Sequence, residues 1–117
     1  MIKEIFSKLF RDKVELTYRP RLYLSEDLSV KDLKRLKDKI EKGKGSCKII
    51  LISDKEDENF DIVTPGQLRY RVWDGKKPVV AGLASDEEQA FELVMKIIDD
   101  CMKKRGDLML KDYIWSL

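Results

Sequence analysis

The sequence contains no histidine, and this absence removes several chemistries at once. A Ser-His-Asp triad, a Cys-His nucleophile pair and every metal site with an imidazole ligand require that side chain. The glycine-rich stretch 42–48 follows a predicted helix, whereas a phosphate-binding loop has to precede one. Any catalysis has to use Asp, Glu, Lys, Tyr or Cys side chains or a bound cofactor, and we favour a non-catalytic protein that holds no cofactor.

Cysteines and long apolar runs are scarce too. Cys47 and Cys101 lie far apart among apolar neighbours and form no Cys-x-x-Cys motif, which is typical of small buried thiols. No apolar run approaches the roughly 18 residues that a membrane-spanning helix needs. The N-terminus does not resemble a secretory signal, because it lacks a small-residue cleavage site and carries Glu4 and Asp12 among its apolar residues. We expect a cytoplasmic protein.

The 117 residues suffice for one domain with its own core. We divide the chain into an N-terminal segment at 1–12, a core at 14–106 and a tail at 107–117. The formal net charge is +2, but residues 1–50 carry an excess of Lys and Arg and the remainder an excess of Asp and Glu. Because the second half is acidic, nonspecific binding to nucleic acid is disfavoured.

Capping signals mark the predicted helices. The clearest helix covers 86–104, where Ser85 is the predicted N-cap, Glu88 completes a capping box and Gly106 ends the helix. Its apolar residues cover about half of the helix circumference, which predicts contact with a second element besides one face of a sheet. The other two predicted helices are 30–42 and the amphipathic N-terminal helix 2–11.

Apolar runs mark the predicted strands. The runs 47–53 and 78–84 are nearly continuous, which is typical of strands that are buried on both faces. A weaker run predicts a strand at 21–25. Alternating apolar residues between Val14 and Tyr18 predict an edge strand.

The stretch 64–74 admits two interpretations, and they lead to different folds. As a strand it pairs with 78–84 in a hairpin that turns at Gly75; as a helix it is capped by Thr64 and Gln67. The helix is favoured because 78–84 does not alternate, as a hairpin with one solvated face requires. A small α/β domain of βαβαβα type follows, with about three mostly parallel strands. The alternative is an α+β fold, in which helices cover one face of an antiparallel sheet.

An acidic residue follows each main predicted strand, at Asp27, Asp54 and Asp86. Ligands of parallel sheets bind beyond the carboxyl ends of the strands, and carboxylate oxygens suit magnesium. The alternative role is helix capping, which uses Ser and Asp after short loops. A magnesium-dependent phosphotransfer or metal-binding site is therefore a second functional hypothesis.

The predicted helix 30–42 has a basic outer face that can contact phosphates. Asp32 and Asp38 interrupt this face, and no aromatic residue is available there to stack on bases. Weak nucleic-acid binding through this helix is a third hypothesis. The basic residues proposed for it are Lys31, Lys34, Arg35 and Lys42.

Both ends of the chain carry apolar stripes that a small domain has limited surface to cover. The N-terminal helix can dock on its own core, bind a protein or lie at a membrane surface. Because large exposed apolar patches are unusual on monomers, we predict a protein-interaction or regulatory module. Its partner is another protein or a second copy of the chain. The predicted contact residues are Ile2, Ile5, Phe6, Leu9, Phe10, Ile114 and Trp115.

Overall fold

The computed structural model describes residues 9–117. Their strands form one four-stranded sheet, which helices cover on both faces. The strands are β1 (Thr17–Leu24), β2 (Lys48–Ile52), β3 (Phe60–Val63) and β4 (Val79–Ala84). The helices are α1 (Leu33–Glu41), α2 (Glu87–Arg105) and α3 (Leu110–Trp115). The order of strands across the sheet is β1-β4-β2-β3.

The two central strands, β2 and β4, are those that the continuous apolar runs predicted, and the prediction is confirmed. In β2 successive side chains enter opposite cores: Ile49 and Leu51 pack on one side of the sheet and Ile50 on the other. All three are at most 1% exposed. A strand with two buried faces needs apolar residues at every position, which explains the absence of alternation.

Different elements cover the two faces of the sheet. One face packs against α2 and α3, which contribute Ala90, Leu93, Ile97, Cys101, Leu110, Tyr113 and Ile114. The other face packs against α1, which contributes Ile40, and against segments that flank the strands. These segments contribute Val14 before β1, Cys47 before β2 and Leu68 after β3. Both cysteines are free and buried in these cores, as the sequence predicted.

The predicted strand directions are wrong. Only β1 and β4 pair in parallel among the described strands, while β2 is antiparallel to both β4 and β3. The reason is that a continuous apolar run indicates burial on both faces and carries no information on direction. The α+β alternative does not describe the sheet either, because helices cover both of its faces. The protein is a mixed α/β single domain.

The edge strands also differ from the prediction. β1 unites the two predicted pieces around Tyr18 and 21–25 into one strand that passes through Pro20. Pro20 lacks an N–H group, and the strand tolerates it because β1 lies at the edge and its pairing is irregular between Tyr18 and Tyr23. The other edge strand, β3, was not predicted: it has four residues, and Asp61 interrupts its apolar character.

The stretch 64–74 is neither the predicted α-helix nor a strand. Thr64 and Gln67 do form the predicted capping box, since each backbone N–H donates to the other's side chain at 2.8 and 3.3 Å. Only two short 3-10 turns follow, Gln67–Arg69 and Arg71–Trp73, with extended Tyr70 between them. A cap satisfies end groups but does not propagate a short helix that lacks a long apolar face.

The predicted termini of the helices 30–42 and 86–104 are nearly correct, whereas the predicted N-terminal helix 2–11 lies largely outside the described residues. α1 begins after a 3-10 turn that carries the predicted Ser29–Asp32 capping box. α2 ends at Gly106, whose φ of 75° is the left-handed conformation that favours glycine. Its N-cap is Asp86 instead of Ser85, because the Asp86 carboxylate accepts a hydrogen bond from the Gln89 N–H at 2.8 Å.

Gly82 lies in β4 where neighbouring atoms leave little room for a side chain. A Cβ atom at this position would lie 3.1 Å from the Tyr23 carbonyl oxygen and 3.2 Å from a Leu93 methyl group. We predict that Gly82→Ala lowers the free energy of unfolding by about 1–3 kcal/mol, because the strand and the helix have to separate. Urea unfolding monitored by circular dichroism measures it.

Gly66→Ala is the matched control for that substitution. Gly66 has a φ of −61°, and a Cβ atom there would meet nothing closer than 4.0 Å. We expect the free energy of unfolding of Gly66→Ala to equal that of the native chain or to be slightly higher. Equal losses for the two alanine variants would contradict the close packing inferred at Gly82.

Candidate functional site

The N-terminal contact candidates fall partly outside the described residues, since Ile2, Ile5 and Phe6 precede residue 9. Leu9 is 54% exposed. Phe10 is half-buried, and its ring centroid lies 5.1 Å from that of Tyr70. The chain is fixed to the α1 side of the sheet from this point onward.

The C-terminal contact candidates have separate environments. Ile114 is 1% exposed and packs inside the protein's own core, so it presents no surface to a partner. Trp115 is half exposed, and the Arg19 guanidinium lies 4.6 Å from its ring centroid. Arg19 also donates to the carbonyl oxygens of Trp115 and Leu117, at 3.4 and 3.2 Å. The tail thus docks on its own domain and leaves one indole accessible.

The three acids proposed for a magnesium site lie at two different ends of the sheet. Asp27 and Asp86 follow the carboxyl ends of the parallel strands β1 and β4. Asp54 follows β2, which runs the opposite way, so it lies at the other end. Within residues 9–117, no three Asp, Glu or Cys side chains are grouped to hold a metal ion. The arrangement on which the hypothesis depended is therefore not formed.

Asp27 has a structural role at its end of the sheet. Its carboxylate accepts a hydrogen bond from the Ser25 hydroxyl at 2.7 Å and another from the Ser85 hydroxyl. The Ser85 N–H in turn donates to the Ser25 hydroxyl at 3.2 Å. These bonds join the ends of β1 and β4. The bonds from Ser85 and then Ser25 stabilise the charged form and lower the pKa of Asp27.

The basic candidates Lys31, Lys34, Arg35 and Lys42 are all exposed on or beside α1. Arg35 forms an ion pair with Asp32 at 3.2 Å, so part of the charge is balanced locally. Nearby Lys37 lies 4.5 Å from the Tyr18 ring centroid. Nucleic-acid binding through this face stays a prediction.

An exposed apolar surface on α2 was not predicted as a contact site. Phe91, Met95 and Met102 are 57%, 64% and 46% exposed. At 100° per residue these three side chains lie within a 40° arc, which widens to 60° when half-buried Ile98 is included. We call these four residues the α2 stripe. The sequence signal was the wide apolar arc of this helix, which predicted contact with a second element besides one face of the sheet.

A cleft opens where β2 and β4 separate, at the end of the sheet opposite Asp27. Its volume is about 650 Å³, within the range of roughly 300–1,000 Å³ that is common for ligand pockets. Its walls come from three parts of the chain: the ends of β2 and β3 with the loop between them, the segment 73–79, and α3. Trp73 and Trp115, the two tryptophans of the sequence, both line it. Because its walls are distant in sequence, no local motif predicted it.

Comparisons with protein-family models, with curated proteins and with solved structures return no match for this chain. Between residues 9 and 117, no helix has both the length and the apolar character required to cross a membrane.

The hydrogen bonds that join β1 and β4 through Asp27 predict how the stability of the fold depends on pH. A lowered pKa means that the carboxylate stabilises the fold above the unfolded-state pKa, near 3.8, and that this contribution is lost as pH falls through the folded-state value. Asp27→Asn should therefore melt at a lower temperature than the native chain at pH 7. The difference should shrink as pH falls below about 4.

Thermal melts at pH 7 and near pH 3, monitored by circular dichroism, measure the effect. Asp54→Asn is the control, because Asp54 is exposed at the opposite end of the sheet. A deficit for Asp27→Asn that stays constant with pH would show that the hydrogen-bonded charge is not its cause.

Proposed function

We propose that this protein is a non-catalytic protein-interaction module and that a second copy of the chain binds to the α2 stripe. The observation that carries the proposal is the exposure of Phe91, Met95 and Met102 along one side of a long helix whose other side is buried. Aromatic and Met side chains are enriched in protein interfaces, and Met adapts its shape to a partner.

The charges along α2 favour an antiparallel pair of helices. Acidic residues lie in its first turns, at Glu87, Glu88 and Glu92, and basic residues lie in its last turn, at Lys103, Lys104 and Arg105. This order suits the helix dipole. In an antiparallel pair it also places acids of one copy opposite bases of the other, whereas a parallel pair places like charges together.

A twofold axis through the middle of the α2 stripe gives a definite set of contacts. Phe91 of one copy then faces Met102 of the second copy, and Met95 faces Ile98. On the rims, Glu87 lies opposite Arg105 and Glu92 lies near Lys103. The surface charges involved are exposed, so their present intrachain pairs cost little to exchange.

The size of this surface indicates a modest affinity. The α2 stripe from Phe91 to Met102 is about 17 Å long at 1.5 Å per residue. An interface centred on one such helix lies at the lower end of stable interfaces, roughly 1,000 Å² in total. We therefore expect association in the micromolar range. Leu108 and Met109, exposed just after α2, add apolar area beyond its end.

Met95→Glu tests the proposal. Residue 95 lies near the proposed twofold axis, so the substitution places a glutamate opposite Ile98 of each copy and brings the two glutamates close to each other. We predict that the dimer dissociation constant rises by about 100-fold or more, since like charges set opposite in an interface cost several kcal/mol. Sedimentation velocity over a wide range of protein concentrations measures this constant.

Two further chains make that test specific. Val72→Glu is the matched control, because Val72 is 68% exposed and lies outside the α2 stripe; it should dimerise like the native chain. A chain that begins at Leu9 tests the N-terminal candidates and should also dimerise. A native chain that stays monomeric at all concentrations would refute the proposal, and loss of the dimer only in the shortened chain would assign the contact to the N-terminal segment.

A further inference from the structure

The cleft between β2 and β4 has a chemical character of its own, separate from the α2 stripe. The apolar part of its lining, which we call the floor, includes Ile52, Ile62 and Val79, and we call the charged part the rim. Both of its indoles are accessible to some degree, since Trp73 is half-buried and Trp115 is half exposed. Indole faces bind flat, apolar groups over a large area at a small cost in conformational entropy. The walls therefore suit a planar ring system.

Lysine side chains supply most of the charged rim of the cleft. Lys55, Lys76, Lys77 and Lys111 all line the cleft and come from three separate parts of the chain. Asp54 and Asp61 also line it, which leaves the lysines in excess by two charges. Clefts that carry an excess of one charge concentrate ligands of the opposite sign. The rim therefore favours an anionic group.

Specific contacts hold the rim in place. The Lys111 ammonium donates to the Lys55 carbonyl oxygen at 2.5 Å, which ties α3 to the loop after β2. The Lys76 ammonium lies 5.5 Å from the Trp73 ring centroid, so one cation and one indole already adjoin within the cleft. Arg19 holds Trp115 from outside the cleft. These contacts bring the positive charges and the aromatic walls together.

We infer that this cleft binds a small planar organic anion, an aromatic ring system that carries a carboxylate, sulfonate or phosphate group. The ring lies against Trp73 and Trp115 on the apolar floor. The anionic group lies at the rim beside Lys76 and Lys77, whose side chains are exposed. The inference does not depend on dimer formation through α2.

The tryptophan content of the chain makes a direct test available. Because the sequence has only two tryptophans and both line the cleft, all energy transfer from tryptophan starts there. The probe is 8-anilinonaphthalene-1-sulfonate, whose planar naphthalene ring carries one sulfonate. We expect saturable energy transfer from tryptophan to the probe, with one probe bound per chain. The uncharged analogue N-phenyl-1-naphthylamine should bind about tenfold more weakly or worse, since it lacks the charge.

Lysine variants connect this binding to the rim. Lys76→Ala/Lys77→Ala should weaken binding of the sulfonate probe by about fivefold to tenfold, as expected for two partly exposed charge pairs. Lys34→Ala/Lys42→Ala is the matched control, because it removes the same charge from the surface at α1 and should leave binding unchanged. All four lysines are exposed, so neither variant disturbs the core.

Several results would overturn the inference. Absence of energy transfer, or equal binding of the charged and uncharged probes, would overturn it. If the two double lysine variants weaken probe binding equally, only the overall positive charge of the surface matters. That result would also overturn the inference. Met95→Glu separates the cleft from the α2 stripe: binding that survives this substitution supports the cleft, and binding that is lost with it belongs to the stripe.

Discussion

The structure depends on burying β2 and β4 on both faces. These two strands lie side by side at the centre of the sheet, and their side chains enter two separate cores. Backbone groups in such strands pair with neighbours, so an edge strand is needed on each side, and β1 and β3 supply the edges. Each face also needs its own cover. The burial of β2 and β4 on both faces therefore requires a layer of helices on each side of the sheet.

The need to cover each face of the sheet also explains why the long helix α2 keeps an exposed apolar side. α2 covers its face of the sheet with Ala90, Leu93 and Ile97, which are at most 3% exposed. The C-terminal helix α3 fills the remaining space on that face, with Tyr113 and Ile114 in the same core. No further described element packs outside Phe91. The wide apolar arc of α2 therefore extends beyond what its own domain covers.

The fold was predictable from the sequence where the signals are local. Continuous apolar runs located β2 and β4, and capping residues located α1 and α2, because burial on both faces and helix ends are written in consecutive residues. Strand direction was not predictable, since it depends on the connections. The charged loop after β2 closes a hairpin through the Ser53 N–H and the Asn59 carbonyl oxygen, 2.9 Å apart. Four-residue β3, with Asp61 inside it, is too short and too polar to stand out.

The candidate sites were less predictable for the same reason. Gathering Asp27, Asp54 and Asp86 required parallel strands, and the reversed β2 separates Asp54 from the others. Burial of Ile114 depends on how α3 packs, which its short sequence does not specify. The α2 stripe could have been found, because an arc of half a helix exceeds what one sheet face contacts. The cleft could not, since its walls meet only in the folded chain.

The proposed dimer pairs two copies of α2 in antiparallel fashion through their exposed stripes. An isotope-filtered NOE experiment on a mixture of labelled and unlabelled chains tests it most directly, because it detects contacts between copies only. The account predicts intermolecular NOEs between the Phe91 ring and the Met102 methyl group. Intermolecular NOEs that join each of these residues to its own counterpart, or that involve neither residue in a confirmed dimer, would contradict it.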